Sequence, residues 1–430
     1  MNIYYINTLF VLKWSGREIM SLAERVMELS KRLFRIEDAD GAGPLNFDSS
    51  PGLYIHIPFC PDFCSFCPYN KTKYDAELTV RYLNALKRES DLERIEHFSS
   101  IYIGGGTPSY DLDLLRGVVS HFKETTNGEI ALEIHPADVS SKRLYEIRET
   151  GVNFVSLGIQ SFDDSTLNSM GRKRQDSGVS LSSIAETTSA GFDFVDVDLI
   201  FDYQLDRRRI VEDLKTAISY GPEQVSVYPM MRFADTAFKN TKNDPEKELE
   251  ILEELENVAL AHGYVRDSLW TFRKRGERRK YSSVSREFFM GIGTSASSFN
   301  GKEFRTNTFS LDEYFSSLEM GRIPARKIIK MGRFSAILYY SFWALYGGQL
   351  DLRRVEEHFG KLPVRMRCLL HSAIARGYLQ RKKDIVKPTR KGTRKLHIIE
   401  EWLTYNFIDR IWTDLRREAR DHFASLESTL

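Results

Sequence analysis

The stretch His56-Ile-Pro-Phe-Cys-Pro-Asp-Phe-Cys-Ser-Phe-Cys-Pro-Tyr-Asn70 gathers Cys60, Cys64 and Cys67 into one loop of a 430-residue chain that has 4 cysteines, the other being Cys368. Three thiolates so close in sequence suit three corners of an iron-sulfur cube, for which cysteine is the usual ligand. A fourth iron then stays open to a substrate or cofactor. A second donor set competes, because the three cysteines with His56 make the Cys3His tetrahedron of zinc. Disulfide pairing is disfavoured, since so few cysteines over this length do not make the dense framework of a small secreted domain.

Outward from the loop, short β-branched or aromatic runs alternate with longer stretches of helical period, the signature of parallel βα units. The spacing predicts six strands over 53–57, 100–103, 130–134, 154–159, 194–200 and 224–228. Between them 78–95, 112–122, 141–149 and 209–218 carry apolar residues at helical spacing, so helices are expected to cover the sheet. The expected fold class is α/β, with the sheet open or curled into a partial barrel.

Such sheets place ligands at the C-terminal ends of their strands. The cysteine loop follows the first run, Gly104-Gly-Gly-Thr-Pro108 the second, His135-Pro136 the third and Gln160-Ser161 the fourth, so one rim collects them all. Glu133 and Asp198 are acidic residues inside otherwise apolar runs, and a buried carboxylate needs a partner to offset its desolvation. Each also has a plain reading as a satisfied structural hydrogen bond. The glycine run lacks the Gly-Lys-Ser/Thr ending of a phosphate loop and the spaced glycines of a dinucleotide site. Its expected use is close approach of main chain to a bound molecule, with Thr107 adding a hydroxyl.

Five stretches, Leu53-Tyr-Ile-His-Ile-Pro-Phe-Cys60 through Cys67, Tyr102-Ile-Gly-Gly-Gly-Thr-Pro-Ser109, Ser156-Leu-Gly-Ile-Gln-Ser-Phe-Asp163, Val197-Asp-Leu-Ile200 and Gly291-Ile-Gly-Thr-Ser-Ala-Ser-Ser298, carry a family resemblance over residues 53 to 298. In them the chain resembles the radical S-adenosylmethionine enzymes, and within these the group of oxygen-independent coproporphyrinogen III oxidase. The resemblance implies a partial (β/α)6 barrel and a 4Fe-4S cluster on Cys60, Cys64 and Cys67, with S-adenosylmethionine chelating the open iron. It implies cleavage to a 5′-deoxyadenosyl radical that abstracts hydrogen from substrate, with an electron donor such as flavodoxin or ferredoxin. Tyr54, Gly105, Gly106, Thr107, Glu133, Gln160, Arg172 and Asp198 fall on positions similar to the family's cofactor contacts, Tyr54 and Glu133 also being the catalytic candidates. Carboxylates suit ribose hydroxyls and an arginine suits the methionine carboxylate. Arg174 takes the place of Arg172 under a two-residue shift.

Two departures bear on the substrate. The decarboxylating oxidase has a further cysteine two residues after the third ligand, where this chain has Tyr69, and its Gly-Leu-Pro after the fifth strand is replaced by Phe201-Asp-Tyr-Gln204. The same group includes a haem-carrying chaperone, methyltransferases that bind two S-adenosylmethionine molecules and tetrapyrrole-opening enzymes. Three functions therefore stand: hydrogen abstraction from a tetrapyrrole-related substrate, methyl transfer to a flat aromatic or quinone-like one, and haem carriage without turnover. Methyl transfer implies a second S-adenosylmethionine near Thr107 and Gly291–Ser298. Haem carriage has His56, His121 and His135 as candidate axial ligands. Aromatic residues of 263–272 and 281–284 are expected to stack on a flat ring, with Arg266, Arg273 and Arg286 meeting carboxylates, against a plain reading of packed aromatics and solvated arginines.

Beyond Tyr314 helical patterns dominate, over 335–345, 352–359, 364–376 and 397–419, with a short ribbon at 378–387, which suggests a winged-helix-like module. Its basic stretch, Arg381-Lys-Lys383 with Lys387, Arg390, Lys391, Arg394 and Lys395, reads as structural rather than as a nucleic-acid site, because 61 basic and 60 acidic residues balance overall. Cys368 is expected to be a buried small hydrophobe. The acidic helix over 245–260 has leucines on one face that suit core packing. The apolar opening, Asn2 to Phe10, is broken by Asn7 and soon followed by Lys13 and Arg17, short of the roughly 20 residues of a membrane span. It also lacks the basic start of a signal peptide, so no transmembrane segment and a cytoplasmic setting are expected, with Met20 as an alternative start. The expected organisation is a helical extension over 1–48, the radical-chemistry barrel over 49–235, a barrel-closing and substrate-covering region over 236–320 and the helical module over 321–430.

Overall fold

The computed structural model describes residues 34–427 apart from 40, 95, 242 and 280–286. Met20, the 281–284 aromatic segment and Arg286 lie outside the described residues.

All six expected runs are strands: Gly52–Ile57, Ser100–Gly105, Ile130–Ile134, Phe154–Gln160, Phe194–Phe201 and Gln224–Pro229. They lie side by side in chain order and pair in parallel. Alternation along each strand sorts its residues between two faces. Leu53, Ile55, Ile103, Leu132, Val155, Leu157, Val197 and Val225 form the continuous aliphatic core. The alternate positions put Tyr54, Tyr102, Ala131, Phe154 and Phe194 into a separate aromatic cluster. Further along that second face come Glu133, Ser156, Asp196 and Asp198.

The helices between strands are Ala76–Glu93, Leu112–Phe122, Ser141–Thr150 and Arg207–Ser219, starting within two residues of the expected positions. Their starts are set by Asp75, Asp111, Ser140 and Asp206, whose side chains accept first-turn N–H groups that would otherwise lack partners. Two further helices, Asp164–Ser169 and Ser177–Ser189, had no clear apolar period. The second packs through Ile184 together with Ser180, Ser183 and Thr187, small hydroxyl residues that weaken the pattern.

The six-strand unit sits inside a 13-stranded sheet that does not close among the described residues. Phe289–Ile292 adds in parallel to the first strand, followed by antiparallel Ser297–Phe299, Glu303–Asn307, Ala325–Met331 and Phe34–Asp38. At the other side Thr271–Lys274 pairs antiparallel with the sixth strand, and Tyr264–Arg266 pairs antiparallel with Thr271–Lys274. Phe34–Asp38 falls in the expected helical extension, and it is a strand because Ala325–Met331 offers it a ladder partner far along the chain.

Arg333–Tyr346, Leu350–Asp351, Leu352–Phe359, Val364–Ala375, Leu379–Lys382 and Ile385–Pro388 follow in winged-helix order, with a three-stranded sheet. The final helical segment starts earlier than expected, at Arg390–Leu403, capped by Thr389 and joined through the π-turn Thr404–Ile408 to Asp409–Glu427. Two arginines of the basic stretch are spoken for by the acidic helix. Arg390 and Arg394 pair with Glu253, and Arg394 also with Glu246, on the acidic helix Pro245–Ala261, whose Leu249, Leu252 and Leu255 are buried. Cys368 is exposed, against expectation: Met366 and Leu370 are the buried face of Val364–Ala375, and a residue two positions from each points away.

Candidate functional site

The cysteine loop is fixed at its base by a short parallel ladder between Phe59–Cys60 and Thr72–Lys73. Thr72 N–H donates to the Pro58 carbonyl at 2.7 Å and Tyr74 N–H to that of Cys60 at 2.9 Å. Farther out, Ser65 N–H reaches the Met170 carbonyl at 3.0 Å, and Lys71 Nζ donates to the Cys67 carbonyl at 2.6 Å. Cys60 is buried, Cys64 and Cys67 partly so. Burial pushes the Cys60 thiol up to about 12 and raises that of Cys67. Cys60 and Cys67 are thus held as neutral thiols that a bound metal must deprotonate, the ordinary condition of thiolate ligation.

His56 does not complete a zinc set. Its Nε2 lies 2.9 Å from the Asn70 carbonyl, which only accepts, so Nε2 carries the proton and Nδ1 accepts from the Tyr54 hydroxyl at 2.9 Å. Burial drops the imidazole to about 4, so the ring is neutral and both nitrogens are engaged. The same bonds remove His56 as a haem ligand. His135 Nδ1 accepts from Ala137 N–H at 3.1 Å, and His121 sits at the far end of Leu112–Phe122, a helix that starts near the rim and runs away from it.

The glycine run brings main chain to main chain. Gly106 N–H donates to the Ile57 carbonyl at 2.7 Å and Thr107 N–H to that of Phe59 at 2.9 Å, so these groups secure the cysteine loop. A Cβ on Gly106 would meet the Pro58 and Phe59 backbone at 2.8 Å. Gly105 has φ 120° and donates its N–H to Glu133 Oε2 at 3.1 Å, while the Tyr102 hydroxyl donates to Oε1 at 2.7 Å. Burial raises Glu133, and these two donors oppose the rise.

Around the thiols, Thr107 Oγ1 donates to Cys60 Sγ at 3.4 Å and Arg172 Nη1 lies 3.8 Å from Cys64 Sγ. Arg172 is held by Gln175 and by the Gly158 carbonyl. A Cβ at Gly158 would stand 2.9 Å from Gln160 Nε2 and 3.7 Å from Arg172 Nη2, so this glycine lets both side chains share one corner. Gln160 itself has φ 66°, where the ladder to the fifth strand shifts register. Arg174 is committed elsewhere, paired with Asp138. Asp198 accepts from the Ser156 hydroxyl, and burial followed by repulsion from Asp196 raises it strongly. Asp196, unremarked in the sequence, accepts from Ser226 and Gln224 and is pushed to about 7. Its position two residues before Asp198, on the same strand face, was the available signal.

The expected covering residues are otherwise employed. Tyr264, Trp270 and Phe272 are buried in the core, Arg266 is paired with Glu256 and Arg273 with Asp267. In Gly291–Ser298, Gly293 N–H donates to Glu89 and Thr294 N–H to the Tyr82 hydroxyl, which in turn donates to the His56 carbonyl at 2.8 Å. That loop's donors thus brace the cysteine strand. What reaches the loop instead comes from the last helix: Arg416 donates to the Pro68 carbonyl, and the Trp412 ring lies 5.9 Å from that of Tyr69.

Residues 54–215 match the family model of the Radical SAM superfamily. Its relatives include the heme chaperone HemW of Bacillus subtilis (strain 168), 29% identical over 293 residues that make up 64% of this chain and 77% of the relative. They also include the oxygen-independent coproporphyrinogen III oxidase of Escherichia coli (strain K12), 26% identical over 298 residues, 62% of this chain and 65% of the relative. The solved structure of coproporphyrinogen III oxidase (HemN) from Escherichia coli shares the fold, with a TM-score of 0.69 at 23% identity over 82% of this chain and 90% of that one.

Proposed function

We propose that this chain is a radical S-adenosylmethionine enzyme acting on a tetrapyrrole-related substrate. The observation that carries the reading is a loop of three thiols whose neighbouring histidine is fully engaged by Tyr54 and Asn70. Such a donor set fits a 4Fe-4S cluster held at three corners better than a closed tetrahedral metal. A 4Fe-4S cluster held by Cys60, Cys64 and Cys67 would supply one-electron reduction of S-adenosylmethionine, the chemistry that yields methionine and a 5′-deoxyadenosyl radical.

The chain's own residues would bind and orient. Cys60, Cys64 and Cys67 are the ligands. Arg172, beside Cys64, offers a fixed cation to the methionine carboxylate, with Gln160 in the same corner. Asp198 and Glu133 offer carboxylate oxygens to ribose hydroxyls, and Tyr102 with Gly105 N–H keeps Glu133 in place. Thr107 donates to the Cys60 sulfur, and Gly106 keeps the second strand's end against the loop. Tyr54 acts through His56, whose tautomer and orientation its hydroxyl fixes. A flavodoxin- or ferredoxin-like reductant and a cytoplasmic setting accompany this reading, and nothing in it calls for nucleic acid.

Haem carriage is the second reading, favoured by the similarity to heme chaperones and by Tyr69 at the oxidase's extra cysteine. Anaerobic incubation with coproporphyrinogen III, followed by mass spectrometry, separates the two. The enzyme reading expects a product that has lost carbon dioxide or hydrogen, formed over many turnovers. Stoichiometric haem binding with no tetrapyrrole product would put carriage first.

A further inference from the structure

The last helix, Asp409–Glu427, lays Trp412 and Arg416, one turn apart, against the cysteine loop. Arg416 is only 8% exposed. Its Nη2 donates to the Pro68 carbonyl, one residue after Cys67, and its Nε lies 3.4 Å from Asp235 Oδ2. Nη1 is buried and has no partner, and Thr413 Oγ1, in the same turn, is likewise buried without one. The other carboxylate facing this arginine, Asp409, takes the Ala234 N–H on both oxygens at 3.1 Å.

The surroundings are aromatic. The guanidinium lies 5.5 Å from the Phe309 ring centroid and 5.7 Å from that of Trp412. Trp412 stacks on Phe233 at 5.5 Å with 19° between planes, while Tyr69 is 52% exposed. A buried guanidinium donor left without an acceptor is costly, and its preferred acceptor is a carboxylate oxygen. Flat rings bind against aromatic faces.

We propose that Arg416 Nη1, with Thr413 and Trp412 beside it, seats a carboxylate of a small molecule bound over the cysteine loop. The carboxylate belongs either to a tetrapyrrole or to S-adenosylmethionine. The seat deepens the function proposed above and rests on it for the ligand's identity, while the unpartnered donor stands independently of it.

The test titrates reconstituted full-length protein with coproporphyrin III, with its tetramethyl ester in the same detergent, and with S-adenosylmethionine. Arg416→Gln is expected to weaken one of the two acids by roughly 10- to 100-fold, the worth of a hydrogen bond to a charged group, and to leave the ester unchanged. The acid that loses affinity identifies the source. Arg416→Lys, which keeps the cation, is expected to restore most of the loss. Equal weakening of acid and ester, or unchanged affinity for both acids, overturns the seat. Wild-type protein that binds S-adenosylmethionine but not coproporphyrin III overturns the tetrapyrrole reading, and the S-adenosylmethionine arm then decides the seat alone. Wild-type protein that binds neither acid overturns both.

Discussion

At the scale of single residues, the site depends on close approach as much as on donors. Gly105 sits at φ 120°, and a Cβ there would meet the His56 ring at 2.7 Å and the Ile57 carbonyl at 2.9 Å. Gly105→Ala is therefore expected to cost about 1–3 kcal/mol in backbone strain and to lower the iron bound after reconstitution. Denaturant titration and iron analysis check the two halves. Cys64→Ala, which removes a ligand while leaving the Ser65 N–H to Met170 bond available, is expected to lose bound iron and S-adenosylmethionine cleavage together, read by absorbance and product analysis. The residues that carry this corner were legible in sequence because they are local to strand ends. Tyr102 was missed as the residue that holds Glu133, since a tyrosine two positions before a glycine run has no chemical signature of its own. Arg266 and Arg273, read in sequence either as substrate contacts or as solvated arginines, are paired within the chain, because a charge pattern along the chain does not reveal its partner.

At the scale of elements, the acidic helix Pro245–Ala261 and Arg390–Leu403 meet around Glu248, His397 and Glu401, whose ligand-type atoms lie within 4.8 Å of one another. Trp270 Nε1, which only donates, points at His397 Nδ1 at 3.2 Å, so the proton of the neutral ring sits on Nε2 and the lone pair a metal would need is turned away. The cluster is read better as two carboxyls sharing a proton beside a neutral histidine. Burial raises Glu248 to about 7 and, with Glu248 beside it, Glu401 to about 9. In the unfolded chain both lose their protons near the ordinary value of 4.5. The stability contributed by these retained protons is present at low pH and lost as pH rises through the folded values. The melting temperature is expected to fall as pH rises from ~4.5, where the unfolded carboxyls ionise, to ~9, and Glu401→Gln, which needs no proton, to flatten that fall. Thermal melts across this range check it, and an unchanged slope in the variant counts against the shared proton.

At the scale of the whole molecule, two distant parts of the chain cooperate over one loop. The strands and their order were readable because period and turn residues are local, and the six runs appear within two residues of expectation. The cover was not, because Arg416 meets Pro68 across 348 residues and nothing in either segment announces the other. The winged-helix order was legible from helix lengths, whereas the strand Phe34–Asp38 depends on a partner some 290 residues away. Trp412 packs on Phe233, Phe309 and Tyr69 and so closes the protein over the cysteine loop. Trp412→Ala is expected to leave the fold intact but to admit oxygen, so that the reconstituted chromophore bleaches several-fold faster in air. Decay of visible absorbance after exposure measures this, and an unchanged rate contradicts the covering role.

Cys60, Cys64 and Cys67 are proposed to support cleavage of S-adenosylmethionine. The direct measurement is 5′-deoxyadenosine formed by anaerobically reconstituted protein with dithionite, quantified by mass spectrometry beside the Cys64→Ala variant. The wild-type chain is expected to form 5′-deoxyadenosine and the variant none above background. A fully loaded cluster that leaves S-adenosylmethionine intact, with or without a tetrapyrrole present, would contradict the proposal.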